Sequence, residues 1–163
     1  MEISLVTQVT EEIAEAFRYL IPQLSTSAEV PTLRQIQEIA DNESLFIARD
    51  PEQGGKIVGT LTLVTFRIPT GVRSWIEDVV VDENARGKGI GEALTRAALE
   101  RARELGAKTV DLTSRPSREA ANRLYQRVGF ELRHTNLYRF KPVKDYSCLK
   151  ASNGCMDAAR NAG

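Results

Sequence analysis

The sequence predicts an α/β domain built on a mixed sheet. Three observations carry this reading. A short apolar run stands at 45–48, and runs rich in Val, Ile or Thr stand at 56–66 and 74–82. Amphipathic stretches with helical spacing follow Thr10, Pro31-Thr32, a glycine-rich turn at 84–91, and Ser117. From residue 74 onward the two kinds alternate.

In chain order, Ile3–Thr7 alternates and reads as a strand. Thr10 is an N-cap before Glu11-Glu12, and Ile13, Ala16, Phe17, Leu20 and Ile21 make one apolar helix face, with Pro22 near its end. Pro31-Thr32 opens a second helix carrying Leu33, Ile36, Ile39 and Ala40. Leu45–Ala48 and Lys56–Phe66 are the arms of a hairpin around the turn 50–55. Ser74–Asp82 is a strand ending in Val79-Val80-Val81. After the glycine-rich turn, Ile90, Leu94, Ala97, Ala98 and Leu105 line a helix that Gly106 stops. Thr109–Thr113 is a strand, Ser117–Val128 a helix capped by Ser117 and stopped by Gly129, and Phe130–His134 and Leu137–Phe140 are two final strands. Residues 1–140 form one domain. Residues 141–163, without a sustained apolar stripe, form a loosely structured tail.

The 163 residues carry 22 Lys+Arg and 22 Asp+Glu, a formal net charge of zero, which argues against a nucleic-acid binder. No apolar run is long enough for a membrane span, and the first residues lack the pattern of a secretory signal, so a cytoplasmic protein is expected. Cys148 and Cys155, both late, make neither a disulfide scaffold nor a metal site. The zero conceals an asymmetry: residues 1–83 hold 6 basic and 14 acidic side chains, residues 84–140 hold 12 and 6. A basic second part suits an anionic ligand.

A strand, a turn with Gly87, Gly89 and Gly91, then a helix together point backbone N–H groups and a positive dipole end at one spot. Arg86 and Lys88 add charge, so the turn reads as a diphosphate cradle. It is not a dinucleotide fingerprint, because Glu92 stands where the last glycine belongs, and the lysine-containing triphosphate loop is absent.

Arg86-Gly87-Lys88-Gly89-Ile90-Gly91 fits [R/Q]-x-x-G-x-[G/A], and Ala120–Phe130 (AANRLYQRVGF) follows about 34 residues on. This pair of motifs resembles the GNAT superfamily of acetyl-CoA-dependent acyltransferases. The resemblance covers 44–140 closely and 1–43 in layout only. It implies a mostly antiparallel sheet flanked by helices, with a splayed strand pair that admits the pantetheine arm. By resemblance, the backbone of Val79, Val80 and Val81 pairs with the cofactor and polarises the thioester carbonyl. Arg86 to Gly91, Ile90 included, holds the pyrophosphate. Tyr125 protonates the leaving thiolate. Where many relatives carry a cofactor-contacting Asn, this chain has Arg118, so Arg118 or Asn122 supplies that contact.

Glu77 and Asp78 are the candidate general bases, expected on opposite faces of their strand. The acidic residues Glu43, Asp50 and Glu11-Glu12 are candidates for drawing a cationic amine. His134, the one histidine, reads as structural. The implied reaction is acetyl transfer from acetyl-CoA to a primary amine of a small molecule, by direct attack in a ternary complex without a metal. A non-catalytic acyl-CoA-binding module is the alternative, and a homodimer is left open.

Overall fold

The computed structural model describes residues 1–142. Met1–Leu132 is one compact unit, and the account of the fold concerns it. Its elements are β1 (Glu2–Leu5), α1 (Glu11–Leu24), α2 (Leu33–Asn42), β2 (Ser44–Asp50), β3 (Lys56–Ile68), β4 (Gly71–Val81), α3 (Ile90–Glu104), β5 (Val110–Leu112) and α4 (Glu119–Val128). The sheet runs in sequence order β1-β2-β3-β4-β5. The first four strands pair antiparallel, and β5 joins β4 in parallel.

Strand alternation sorts the core into two layers. Leu45 and Ile47 of β2 pack with Ile13, Phe17, Leu20 and Ile36 of α1 and α2. Phe46 and Ala48 pack on the other face with Ile90, Leu94, Ala98 and Ala102 of α3. The helix starts are set locally. Thr10 accepts from the Ile13 N–H at the head of α1. At α2, Thr32 and Gln35 exchange a full capping box, Thr32 N–H to Gln35 Oε1 at 2.8 Å and Gln35 N–H to Thr32 Oγ1 at 3.3 Å. Pro22 lies inside α1, which nevertheless continues to Leu24. Thr32→Ala is expected to lower stability by about 1 kcal/mol, read as a fall in the thermal midpoint.

A one-residue irregularity shapes the pairing of β3 and β4. Thr60 faces Val80 and Thr62 faces Glu77, so Leu61 alone opposes both Asp78 and Val79. Asp78 takes φ +51°, the left-handed region that Asp tolerates better than most side chains. The bulge resets the alternation: Ile76 joins the α3 side of the core, whereas Val80, four residues on, joins the α1–α2 side.

Two expectations are corrected at the C-terminal side. The helix expected from Ser117 begins at Glu119, with Arg118 as its N-cap and no side-chain cap bond. The strands expected over Phe130–His134 and Leu137–Phe140 do not form, and residues 129–142 carry no helix or strand. Phe130 is instead drawn into the end of α4. Gly129 adopts φ +110°, its N–H bonds the Gln126 carbonyl, and the Phe130 N–H bonds the Tyr125 carbonyl at 2.9 Å. This is a Schellman closure, and its apolar contact is the Phe130 ring standing edge-on to Tyr125, 5.8 Å between centroids. Most of the expected tail, with Cys148 and Cys155, lies outside the described residues.

Candidate functional site

β4 outruns its neighbour. Its pairing with β5 covers Ser74, Trp75 and Ile76 only, whereas its pairing with β3 continues to Val81. From Glu77 to Val81 the edge of β4 facing β5 therefore has no strand partner among the described residues, and its backbone groups there are open to an extended chain bearing amides. Val80 is buried and Val79 and Val81 half-buried, so these side chains pack while their backbone edge is exposed.

Beyond β4, Asp82 accepts from the Asn84 N–H at 3.1 Å and caps a single 3-10 turn over Glu83–Ala85. Arg86, Gly87, Lys88 and Gly89 follow, all exposed. Gly87 and Gly89 hold φ +82° and +76°, which a side chain would strain. Gly89 is the N-cap of α3 and offers no side-chain cap, so the first-turn N–H groups of Ile90, Gly91 and Glu92 face outward with the helix dipole behind them. Ile90 is buried and anchors the turn on the core. An anion with several oxygens fits this end.

α4 is docked on the first turn of α3. A Cβ on Gly91 would stand 3.3 Å from Leu124 Cδ1, so the glycine is what allows the approach. Arg127 then grips Glu92 with Nε at 3.0 Å and a terminal nitrogen at 2.8 Å. Arg127 and then Arg96 hold the Glu92 carboxyl below the ordinary range. Tyr125, between these two anchors on α4, is buried. Its hydroxyl has no hydrogen-bond partner among the described residues. Burial pushes its pKa up, and the nearby Arg118 charge opposes this in part. Asn122 lies one turn before Tyr125 on α4, and its amide donates to the Arg115 and Pro116 carbonyls at 3.0 and 3.4 Å, leaving its oxygen free to accept. Arg118 is exposed at the head of the helix.

Glu77 and Asp78 are both exposed, and the bulge interrupts the alternation expected to send them to opposite faces. Of the acidic residues proposed for an amine, Glu11 is exposed and the other three are engaged elsewhere. Glu12 forks onto Arg49 at 2.5 and 2.8 Å, Glu43 accepts from the Thr65 N–H at 3.1 Å, and Asp50 binds Lys88 at 3.0 Å. Lys88 also meets Glu52 at 2.8 Å. His134 is exposed. A cavity of about 360 Å³ at the other end of the sheet, lined in part by Glu43, Thr65, Arg67 and Arg101, contains no residue of the turn.

Sequence reasoning missed Asp50, Glu52 and Glu92 as partners of the site, and Gly59 as its floor. A Cβ on Gly59 would stand 3.1 Å from the Val80 carbonyl, 3.2 Å from Leu94 and 3.3 Å from Ile90. Only the plain glycine within an apolar strand hinted at that close approach.

The carboxyls around the turn set an acid limit. Gln53 and then Lys88 hold Asp50 below its ordinary value of 3.8. Burial pushes Asp82 up, but the Asn84 N–H and Lys56 outweigh it and the net shift is downward. A carboxyl depressed in the folded state stabilises at pH above its unfolded pKa, and that contribution is lost as pH falls through the folded value. Urea stability is expected to hold from neutrality down to about pH 4 and to decline below it, less steeply in Asp82→Asn.

The family model described as "Acetyltransferase (GNAT) family" matches residues 6–130. The chain belongs to this family. Among curated relatives, mycothiol acetyltransferase of Propionibacterium freudenreichii is 30% identical over 79% of this chain and 40% of its own length. "Probable glucosamine 6-phosphate N-acetyltransferase 2" of Oryza sativa is 31% identical over 67% of this chain and 66% of its own length. The chain thus spans less than half of the first relative and about two thirds of the second. A solved structure described as a putative acetyltransferase from Agrobacterium tumefaciens superposes with a TM-score of 0.74 at 22% identity, covering 86% of this chain and all of that one. The likeness to this structure shows the fold: a mixed, mostly antiparallel sheet with helices on both faces.

Proposed function

We propose that this chain transfers the acetyl group of acetyl-CoA to a primary amine of a small molecule, by direct attack while both are bound. The observation that carries the reading is the run from the unpartnered edge of β4 into the uncapped head of α3. The backbone of Val79, Val80 and Val81 would pair with the pantetheine amides, with one N–H aimed at the thioester oxygen. The turn from Arg86 through Gly87, Lys88, Gly89 and Ile90 to Gly91 would cradle the diphosphate. Arg118 and the free oxygen of Asn122 lie on the α4 side. Tyr125 would give its proton to the departing thiolate, and Glu77 or Asp78 would take the amine proton, directly or through water.

The names of the two curated relatives, each specifying a small molecule, support a small-molecule acceptor. Acetyl-CoA is available in the cytoplasm, which supports that location. Among the described residues no helix is long and apolar enough to cross a membrane.

The test is thiol release from acetyl-CoA across a panel of amino sugars, amino acids and polyamines. Turnover with at least one amino compound is expected. Saturable CoA binding with no turnover on any amine would favour the non-catalytic module, and absence of both would overturn the reading.

A further inference from the structure

Within the cradle, the segment Gly87–Gly89 lacks packing of its own. Gly87, Lys88 and Gly89 are all exposed, and a Cβ on either glycine would meet nothing within 4 Å. Two glycines with free φ make such a segment conformationally loose. Its single side chain is that of Lys88, and this side chain is tied down. The ammonium lies 3.0 Å from Asp50 Oδ2 and 2.8 Å from Glu52 Oε2, across the gap to the turn between β2 and β3.

Asp50 is built as an anchor. Its side chain is 6% exposed. Oδ1 accepts from the Glu52 N–H at 3.0 Å, Oδ2 from the Gln53 amide at 2.9 Å, and its carbonyl from the Gly55 N–H at 2.9 Å. It is therefore fixed before Lys88 reaches it. A second tie runs alongside: Lys56, the first residue of β3, meets Asp82 at 3.4 Å where β4 leaves the sheet. Arg86, by contrast, has no ion pair or hydrogen bond among the described residues.

We propose that Asp50, with Glu52 beside it, is a positioning residue for the acyl-CoA site. It draws the Lys88 ammonium to the β2–β3 turn, holds Gly87–Gly89 in the shape that presents N–H groups, and leaves Arg86 as the cation that meets phosphate. This rests on the acetyl-CoA reading above. It opposes the simpler view, in which Lys88 contacts the diphosphate and the two carboxylates only compete for it. The two views differ in sign. If the carboxylates compete, removing them frees the ammonium and tightens CoA binding. If they position, removing them loosens the turn and weakens it.

The experiment is calorimetric titration of CoA into wild type, Asp50→Asn, Lys88→Met and the double variant, with thermal unfolding of each. Each single variant is expected to weaken CoA binding by about tenfold, and the double to be no weaker than either, because both remove one link. Lys88→Arg, which keeps the ion pairs, is expected to restore binding. In turnover, KM for acetyl-CoA rises while kcat and the acceptor KM hold. The slope of log Kd against log salt stays unchanged in Lys88→Met and flattens in Arg86→Gln, a readout that general loosening of the fold would not move. Should Asp50→Asn fail to fold, the same cycle is run with Glu52→Gln, an exposed charge removal.

Tighter or unchanged CoA binding in the carboxylate variants, or a flattened salt slope in Lys88→Met, overturns the proposal. Wild type that does not bind CoA overturns instead the reading on which it rests.

Discussion

Replacing Tyr125 by phenylalanine is expected to lower kcat by about 10²–10⁴-fold, the usual worth of a positioned general acid. CoA affinity and the thermal midpoint should hardly change. The ring keeps its burial and its edge contact with Phe130, and the hydroxyl removed has no protein partner among the described residues. The split between kcat and binding is the informative part. A tyrosine that served only packing would leave both alone in this substitution. The pH profile adds a sign. Burial raises the Tyr125 pKa above its ordinary value of 10.0, with Arg118 opposing in part. The phenol is thus protonated, and competent as an acid, through neutral and mildly basic pH. The rate should rise with pH as the amine deprotonates, and Tyr125 should impose no decline below about pH 10. Pre-steady-state thiol release in the two proteins measures the effect.

Gly59→Val is the second large effect, on stability and on the cofactor site together. The first atom added at Gly59 would stand 3.1 Å from a backbone carbonyl, that of Val80, and 3.2–3.3 Å from the buried Leu94 and Ile90. The carbonyl cannot rotate away as a side chain can, so β4 and the first turn of α3 must part. Overpacking of this kind costs about 1–3 kcal/mol. The displaced pieces are the two that make the cradle, so CoA binding should weaken even in the fraction that remains folded. Urea unfolding and CoA titration of the one variant give both readings. Leu94→Ala, which opens the same space from the helix side, should destabilise by about 2–5 kcal/mol without pushing β4 outward.

These two positions show which parts of the molecule are legible in a sequence. Tyr125 and the turn 86–91 are local: a strand, alternate glycines and a helix with a tyrosine at set spacing declare themselves in a short window. The helices α1 and α2 were readable for the same reason, from Thr10, Thr32 and the apolar spacing that follows each. The bulge at Asp78 was not. A single extra residue leaves no mark in the pattern, yet it decides which face every later side chain of β4 meets. Nor was the Lys88–Asp50 pair, whose partners are 38 residues apart and meet only because the hairpin brings the end of β2 beside the head of α3. The last strands failed for a different reason. Alternation in 130–140 describes a segment fit to pair, but pairing also needs a neighbour, and Phe130 is captured by the closure of α4 before any strand begins. Charge reading reached only part of the arrangement. Arg86 and Lys88 stand in the turn at the head of α3 and Arg118 at the head of α4, while part of the acidic excess before residue 84 is taken up in pairing: Glu12 with Arg49, and Asp50 and Glu52 with Lys88.

The central claim is that the open edge of β4 and the uncapped head of α3 together receive acetyl-CoA. Calorimetric titration of CoA at low and at high salt tests it most directly. The account predicts saturable binding at one site per chain, weakened as salt rises because the diphosphate is held partly by charge. It also predicts the loss of that binding in Gly89→Val, where a β-branched residue cannot hold the +76° φ of the N-cap. Absence of saturable binding at low salt, or binding undiminished in Gly89→Val, would contradict it.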